Sequence, residues 1–140
     1  MRRIAVIDGQ GGGIGSLIIK RLKEELGDRV EILALGTNST ATSAMMKARA
    51  NRGATGENAI RWNAGRVEII TGPLSIMLAN GMLGELTATM AAAIASSPAK
   101  KILLPLNQED VEILGLAKEP LPHLIDKLVQ RIKELEGCHV

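Results

Sequence analysis

The sequence is almost without aromatic residues: Trp62 is the only one among 140 residues, and the chain has neither phenylalanine nor tyrosine. This absence removes the aromatic platforms on which many proteins stack single-stranded nucleic acid. It also excludes every mechanism that needs a tyrosine as proton donor. The charges are nearly balanced, since 17 basic residues stand against 15 acidic ones and leave a net charge of +2. We therefore expect no nucleic acid among the partners.

Cysteine and long apolar runs are scarce as well. Cys138 is the only cysteine, so no internal disulfide forms, and with His139 it supplies only two of the four ligands of a zinc site. We predict no metal site. The start of the chain lacks a secretory signal, which favours a cytoplasmic protein. Residues 69–99 carry one charge, Glu85, but glycines and prolines divide this stretch into pieces too short to cross a bilayer. We expect no membrane partner and a single domain over residues 1–140.

Short β-branched runs alternate with segments of helical periodicity along the chain. This alternation predicts a three-layer α/β domain, in which helices cover both faces of a parallel sheet. The predicted strands span residues 3–8, 30–35, 66–71 and 101–106, in the sheet order 3-2-1-4. The predicted helices span residues 16–26, 83–96 and 122–136, with two short helices inside 40–64.

Residues 111–114 form one more β-prone run close behind the fourth predicted strand. Only four residues separate the two runs, whereas a parallel crossover connection needs a dozen or more. We therefore predict that residues 111–114 form an antiparallel fifth strand at the edge of the sheet.

The most informative segment connects the first predicted strand to the first predicted helix. Five of the seven positions from 9 to 15 are glycine, although glycine costs conformational entropy wherever it is ordered. Backbone without side chains lets the oxygens of a ligand approach amide N–H groups at the positive end of the helix dipole. We expect three or four of these amides to hold a phosphate; the alternative is a tight packing turn. The candidate binding residues are Asp8, Gly9, Gln10, Gly11, Gly12, Gly13, Ile14 and Gly15, of which Asp8 either caps the turn or contacts the ligand.

The spacing of Gly9 and Gly13-Ile14-Gly15 resembles the Gly-x-x-x-Gly-Ile-Gly fingerprint of short-chain dehydrogenases/reductases. A second register, which starts at Gly11, is similar to the general Rossmann pattern Gly-x-Gly-x-x-Gly. The resemblance covers roughly the first 40 residues and implies a Rossmann-like fold with NADP or NAD as cofactor. The whole chain also resembles a small bacterial family of unknown function, which implies a fold but no activity.

Two departures from the dehydrogenase pattern limit what carries over. Its catalytic Tyr-x-x-x-Lys cannot occur in a chain without tyrosine, so the reductase chemistry does not follow. An acidic residue normally ends the second strand and binds the adenosine ribose, but Glu31 lies at the start of that strand. The strand is followed instead by Thr37, Asn38 and Ser39. These side chains either meet a ribose or 2′-phosphate, which favours NADP or a mononucleotide, or cap the next helix.

Three further candidates end the other predicted strands at the same edge of the sheet. Gly72 and Pro73 follow the third strand, and Asn107 follows the fourth. Open α/β sheets bind ligands at the carboxyl ends of their strands. We therefore expect Gly72 and Pro73 to lie beside a base or sugar, with a plain turn as the alternative, and Asn107 to be a polar contact.

The sequence thus predicts a module that binds or senses a nucleotide or dinucleotide, NADP or NAD first. No residue is identified as catalytic, because no histidine, cysteine or carboxylate pair has a telling spacing. One alternative is a small NAD(P)-dependent oxidoreductase with its substrate at a subunit interface. The other is a structural partner subunit without ligand. The small side chains of residues 87–97 favour a homodimer contact, or else close packing within the chain.

Overall fold

The structure, a computed structural model, describes residues 2–137, so that Cys138 and His139 lie outside the described residues. The strands are β1 (Arg2–Asp8), β2 (Val30–Gly36), β3 (Arg52–Thr55), β4 (Ile69–Pro73) and β5 (Lys100–Leu104). The α-helices are α1 (Gly13–Leu26), α2 (Ser39–Lys47), α3 (Glu57–Ala64), α4 (Ala88–Ser96) and α5 (Leu121–Leu135). Short 3₁₀ helices follow α1 at Gly27–Arg29 and β4 at Leu74–Met77.

All five strands are parallel and lie in the order β3-β2-β1-β4-β5. The predicted three-layer α/β architecture is therefore confirmed. The predicted antiparallel fifth strand is wrong, because residues 111–114 have no strand structure and belong to the segment that leads from β5 to α5.

The order 3-2-1-4 recurs in the numbering of the observed strands, but its third strand is one that the sequence did not predict, so the predicted place of residues 66–71 beside the second strand is wrong. β3 occupies the edge beside β2, and the run predicted as the third strand is β4, which pairs with β1. The sequence signal for β3 is weak because the strand has only four residues, RGAT, with little apolar side chain. Residues 40–64 therefore form helix, strand and helix, where two helices were predicted.

Helices cover both faces of the sheet and enclose two apolar cores. On one face Ile4 and Val6 of β1 pack with residues of α1, α2 and α5. On the other face Ala5 and Ile7 pack with residues of α3 and α4. Because both faces are buried, residues 4–7 of β1 form an unbroken apolar run without alternation.

One face of α4 packs within the chain, and most of its small residues are exposed on the other. The buried side chains Met90, Ala91 and Ile94 of this helix share a core cluster with Ile60 and Ala64 of α3. The predicted homodimer contact through this helix stays a prediction. Between residues 2 and 137, no helix has the length and apolar character to span a membrane.

The direction in which the strands are added reverses between β1 and β4. The sheet grows from β1 to β2 and β3 on one side, and then from β4 to β5 on the other. In open α/β sheets such a reversal separates the loops that follow the two central strands and leaves a crevice at their carboxyl ends. The glycine-rich loop after β1 lies at this point.

Candidate functional site

A cavity of about 360 Å³ lies at the carboxyl ends of β1, β4 and β5. We call it the crevice. It brings together residues from the glycine-rich loop and from the segments after β4 and β5, which are far apart in the sequence. Its lining includes five of the residues predicted from the sequence, namely Asp8, Gln10, Ile14, Pro73 and Asn107, together with Ser75, Met82, Pro105, Leu106 and Gln108.

Asp8 holds the glycine-rich loop in its conformation. The side chain is buried, and its Oδ1 and Oδ2 accept hydrogen bonds from the amides of Gly9 and Gly15 at 2.8 and 2.7 Å. Burial raises the pKa of Asp8, and the nearby Glu85 charge raises it further, while the backbone amides of Gly15, Gly9 and Ile14 oppose this rise without cancelling it. The interpretation of Asp8 as the cap of the turn is therefore confirmed. The carboxylate of Asp8 is therefore an internal hydrogen-bond acceptor at the N-terminus of α1, where an anionic ligand is expected.

Most amides of the glycine-rich loop have partners within the chain. The amide of Gly12 donates to the Gly9 carbonyl, and that of Gly15 donates to Asp8. Among the described residues, the amides of Gly11 and Gly13 have no protein acceptor. The loop as it stands thus offers two amides to a ligand, fewer than the three or four that the sequence led us to expect.

Packing explains three of the five glycines. A Cβ on Gly9 would lie 2.5 Å from the sulfur of Met82, and one on Gly15 would lie 2.5 Å from the sulfur of Met45. Gly12 has a φ of +72°, which side chains disfavour, and its backbone runs against that of α2. The alternative interpretation, a tight packing turn, therefore accounts for these three positions.

Gly11 and Gly13 differ from the other three glycines. A Cβ added at either position would meet no atom within 4 Å, and neither residue has a positive φ. Packing therefore does not require glycine at these two positions. The same two residues have the loop amides without a protein acceptor.

Glu85 is the main residue of the site that the sequence analysis missed. Its Oε1 accepts three hydrogen bonds, from the Gln10 amide at 2.8 Å, the Thr37 hydroxyl at 2.7 Å and the Asn38 amide at 2.8 Å. Burial raises the pKa of Glu85, but these three donors outweigh it and leave the pKa below its ordinary value. The only sequence signal was that Glu85 is the one charge in the apolar stretch 69–99.

The polar residues after β2 contact the glycine-rich loop, and one of them also caps a helix. The side chain of Asn38 accepts a hydrogen bond from the Ala41 amide at 2.8 Å, which confirms the interpretation of this residue as the cap of α2. The same side chain donates to the Gln10 carbonyl at 3.0 Å. Ser39, by contrast, is the exposed first residue of α2. Contact of these residues with a ribose stays a prediction.

On the other side of the crevice, Asn107 offers an acceptor that the protein does not use. Its Nδ2 donates to the Val111 carbonyl at 3.3 Å, whereas its Oδ1 is buried and has no partner among the described residues. Gly72 serves packing, because a Cβ there would collide with the Ile7 carbonyl oxygen of β1. Pro73 lines the crevice.

The segment 78–86 precedes α4 and reaches the crevice through Met82. Asn80, Met82 and Leu83 all have positive φ values, between 58° and 66°, a conformation that is costly outside glycine. Glu85 holds one end of this segment to the glycine-rich loop. Glu109 holds its middle, because Oε1 of Glu109 accepts from the Met82 amide at 3.0 Å.

No group of three or more His, Cys, Asp or Glu side chains suited to a metal ion occurs in the described part of the chain.

Comparison with known proteins assigns the family. The model of a family described as "Domain of unknown function (DUF3842)" matches residues 3–137. The chain belongs to this family. A search of curated proteins finds no match. Among solved structures, the chain is similar to a dodecameric FMN-dependent UbiX-like decarboxylase from Escherichia coli O157:H7, with a TM-score of 0.52 and 15% sequence identity over 98% of this chain and 95% of that one. At this identity the likeness shows a common fold.

Proposed function

We propose that this member of the DUF3842 family binds a phosphorylated, nucleotide-type ligand in the crevice and acts as a binding or sensing module. The observation that carries the proposal is the pair of amides at Gly11 and Gly13 without a protein acceptor near the N-terminus of α1. The two glycines adjoin Gln10 and Ile14 in the chain, and these two residues line the crevice. An anion at a helix N-terminus gains both hydrogen bonds and the field of the helix dipole.

The amides alone make a modest anchor. Each hydrogen bond from an amide to a charged oxygen contributes about 1.5–3 kcal/mol, and association itself costs a large part of that gain. Further affinity must therefore come from the walls of the crevice. The apolar surfaces of Ile14 and Pro73 and the free Oδ1 of Asn107 are suited to a base or sugar.

The size of the crevice favours a mononucleotide. Its 360 Å³ lies near the lower end of the range for small-molecule sites, roughly 300–1,000 Å³. Thr37 and Asn38 lie on the side of the crevice where the second nucleotide of a dinucleotide would extend. Their side-chain donors already form hydrogen bonds to Glu85. NADP and NAD, the cofactors implied by the sequence resemblance, would require Glu85 to leave these donors. FMN, named in the description of the similar structure, belongs to the favoured class.

Thermal unfolding with a panel of ligands tests the proposal. The panel is FMN, NADP, NAD, ATP, coenzyme A and S-adenosylmethionine. A ligand present at a hundredfold excess over its Kd stabilises the native state by about 2.7 kcal/mol, which raises Tm by several degrees in a domain of this size. We expect the largest rise with FMN. No rise with any of the six ligands would contradict the proposal and favour a structural partner subunit.

Two glycine variants locate the binding site. Gly13→Val should fold normally and lose the ligand-induced rise in Tm, because the added side chain fills the open space beside the free amides. Gly65→Val is the matched control, because a Cβ at Gly65 also meets no atom within 4 Å and Gly65 ends α3 on the other face of the sheet. An equal loss in both variants, or in neither, would place the ligand elsewhere.

Turnover distinguishes a sensor from an enzyme. If NADP or NAD gives the rise in Tm and the reduced cofactor is consumed with a substrate, the protein is a small oxidoreductase. Mass spectrometry of molecules that co-purify with the protein identifies candidate ligands and substrates directly.

A further inference from the structure

A second cleft, of about 320 Å³, lies beside the edge strand β3. We call it the arginine cleft. Its floor is the face of β2 and β3 at Leu33 and Ala54, and its rim carries Arg3, Arg52 and Arg66. The floor is apolar, whereas the rim has three positive charges and no acidic residue among the lining residues that the structure describes.

The positive charge of the rim is only partly neutralised. One oxygen of Glu31 serves two of the guanidinium groups, since its Oε1 lies 3.0 Å from Nε of Arg3 and 2.9 Å from Nη2 of Arg52. Arg66 has no carboxylate partner within residues 2–137. Three cations around one carboxylate leave an excess of positive charge, which attracts an anion to the cleft.

Arg66 is held in a fixed orientation by the only aromatic residue of the chain. Its Cζ lies 3.4 Å from the centroid of the Trp62 ring, and its Nη1 donates to the Trp62 carbonyl at 2.6 Å. A guanidinium stacked in this way loses little freedom when it binds a phosphate or carboxylate. Trp62 itself is 57% exposed, so part of its ring borders the cleft as open apolar surface.

We propose that the arginine cleft binds a small organic anion that has a planar, apolar body and a phosphate or carboxylate group. The anionic group pairs with the guanidinium groups of Arg66 and Arg52, and the planar body lies over the apolar floor beside Trp62. A surface cation–π pair would stabilise the end of α3 without any cleft. The two further arginines and the apolar floor are what make this place a binding site. The proposal is independent of ligand binding in the crevice.

The composition of the chain provides the readout. Trp62 is the only tryptophan, and the chain has no tyrosine, so its intrinsic fluorescence reports on the arginine cleft alone. Phenyl phosphate is the probe, because it combines a planar ring with a phosphate. Inorganic phosphate and phenol each supply one of these two parts. We expect a saturable change of Trp62 emission with phenyl phosphate, at a midpoint at least tenfold lower than with either part alone.

Arginine variants test which groups bind the probe. Arg66→Gln should raise the midpoint for phenyl phosphate at least tenfold. Because this change also alters the starting emission of Trp62, midpoints are compared and not amplitudes, and calorimetry of the same titration provides a second readout. Arg61→Gln is the matched control: Arg61 is exposed on α3 next to Trp62, does not line the cleft and hydrogen-bonds to Asn58. It should leave the midpoint unchanged.

Two results would overturn this proposal. One is the absence of saturable binding of phenyl phosphate to the wild-type protein by both readouts. The other is an equal midpoint in the wild type and in a folded Arg66→Gln variant. Gly13→Val separates this proposal from the one for the crevice, since the variant should lose ligand binding in the crevice and keep the Trp62 response.

Discussion

The crevice and the arginine cleft differ in how their charged side chains are paired. Around the crevice, the carboxylates of Asp8, Glu85 and Glu109 each accept hydrogen bonds from backbone amides of the chain. In the arginine cleft, the guanidinium groups of Arg3 and Arg52 share the carboxylate of Glu31, and Arg66 has no carboxylate partner among the described residues. The acids of the crevice therefore hold loops in place, whereas the arginine cleft keeps charge available. An anion that enters the arginine cleft competes with Glu31 for Arg52 but meets no internal carboxylate at Arg66.

The largest expected effect comes from the packing glycines of the loop. Gly12→Ala should destabilise the protein by about 2–4 kcal/mol, because it adds a side chain at a positive φ and forces its Cβ within 2.8 Å of the Ala41 carbonyl oxygen. Gly13→Ala should cost less than about 0.5 kcal/mol, or stabilise slightly, at a helical position with open space. Urea unfolding of both variants measures the difference. Equal free energies of unfolding would remove the distinction between packing glycines and open glycines.

The next effect concerns the buried carboxylate at the N-terminus of α1. Asp8→Ala leaves the amides of Gly9 and Gly15 without their acceptor and should cost about 2–4 kcal/mol. Asp8→Asn keeps one acceptor oxygen and should cost less. An equal loss in both variants would mean that the charge of Asp8, and not its hydrogen bonding, holds the loop.

Asp8 and Glu85 should make the free energy of unfolding depend on pH in opposite directions. The folded-state pKa of Asp8 is raised, so its contribution is present below its unfolded pKa and is lost as the pH rises through the folded value. The folded-state pKa of Glu85 is lowered, so its contribution is present above its unfolded pKa and is lost as the pH falls through the folded value.

Glu85→Gln should therefore be less stable than the wild type at neutral pH, and the difference should shrink on acidification below the ordinary pKa of glutamate, about 4.3. Asp8→Asn should remove the decline in stability above the ordinary pKa of aspartate. Urea unfolding across pH measures both effects. A constant difference between wild type and Glu85→Gln at all pH values would contradict the described role of Glu85.

The smallest effect is expected in the arginine cleft. Arg52→Gln should change the free energy of unfolding by no more than about 0.5 kcal/mol, because exposed ion pairs contribute little and Arg3 still pairs with Glu31. The measurement is again urea unfolding. A loss comparable to that of Asp8→Ala would mean that these arginines hold the fold, and the contrast between the two sites would disappear.

The features that the sequence predicted correctly are local. β1 and β2 are buried apolar runs, and the glycine-rich loop between β1 and α1 lies where its pattern indicated. β3 was missed because a four-residue edge strand has no periodicity of its own. Glu85 was missed because its hydrogen-bond partners lie 47 to 75 residues away in the chain, and only the folded sheet brings them together. The internal pairing of most loop amides has the same origin.

The most direct test of ligand binding in the crevice is the NMR response of the loop amides to FMN. We predict saturable chemical-shift changes at the free amides of Gly11 and Gly13, larger than those at Gly9 and Gly15, whose amides are bonded to Asp8. Unchanged resonances of Gly11 and Gly13 at saturating FMN, or changes centred on another face of the molecule, would contradict the proposed site.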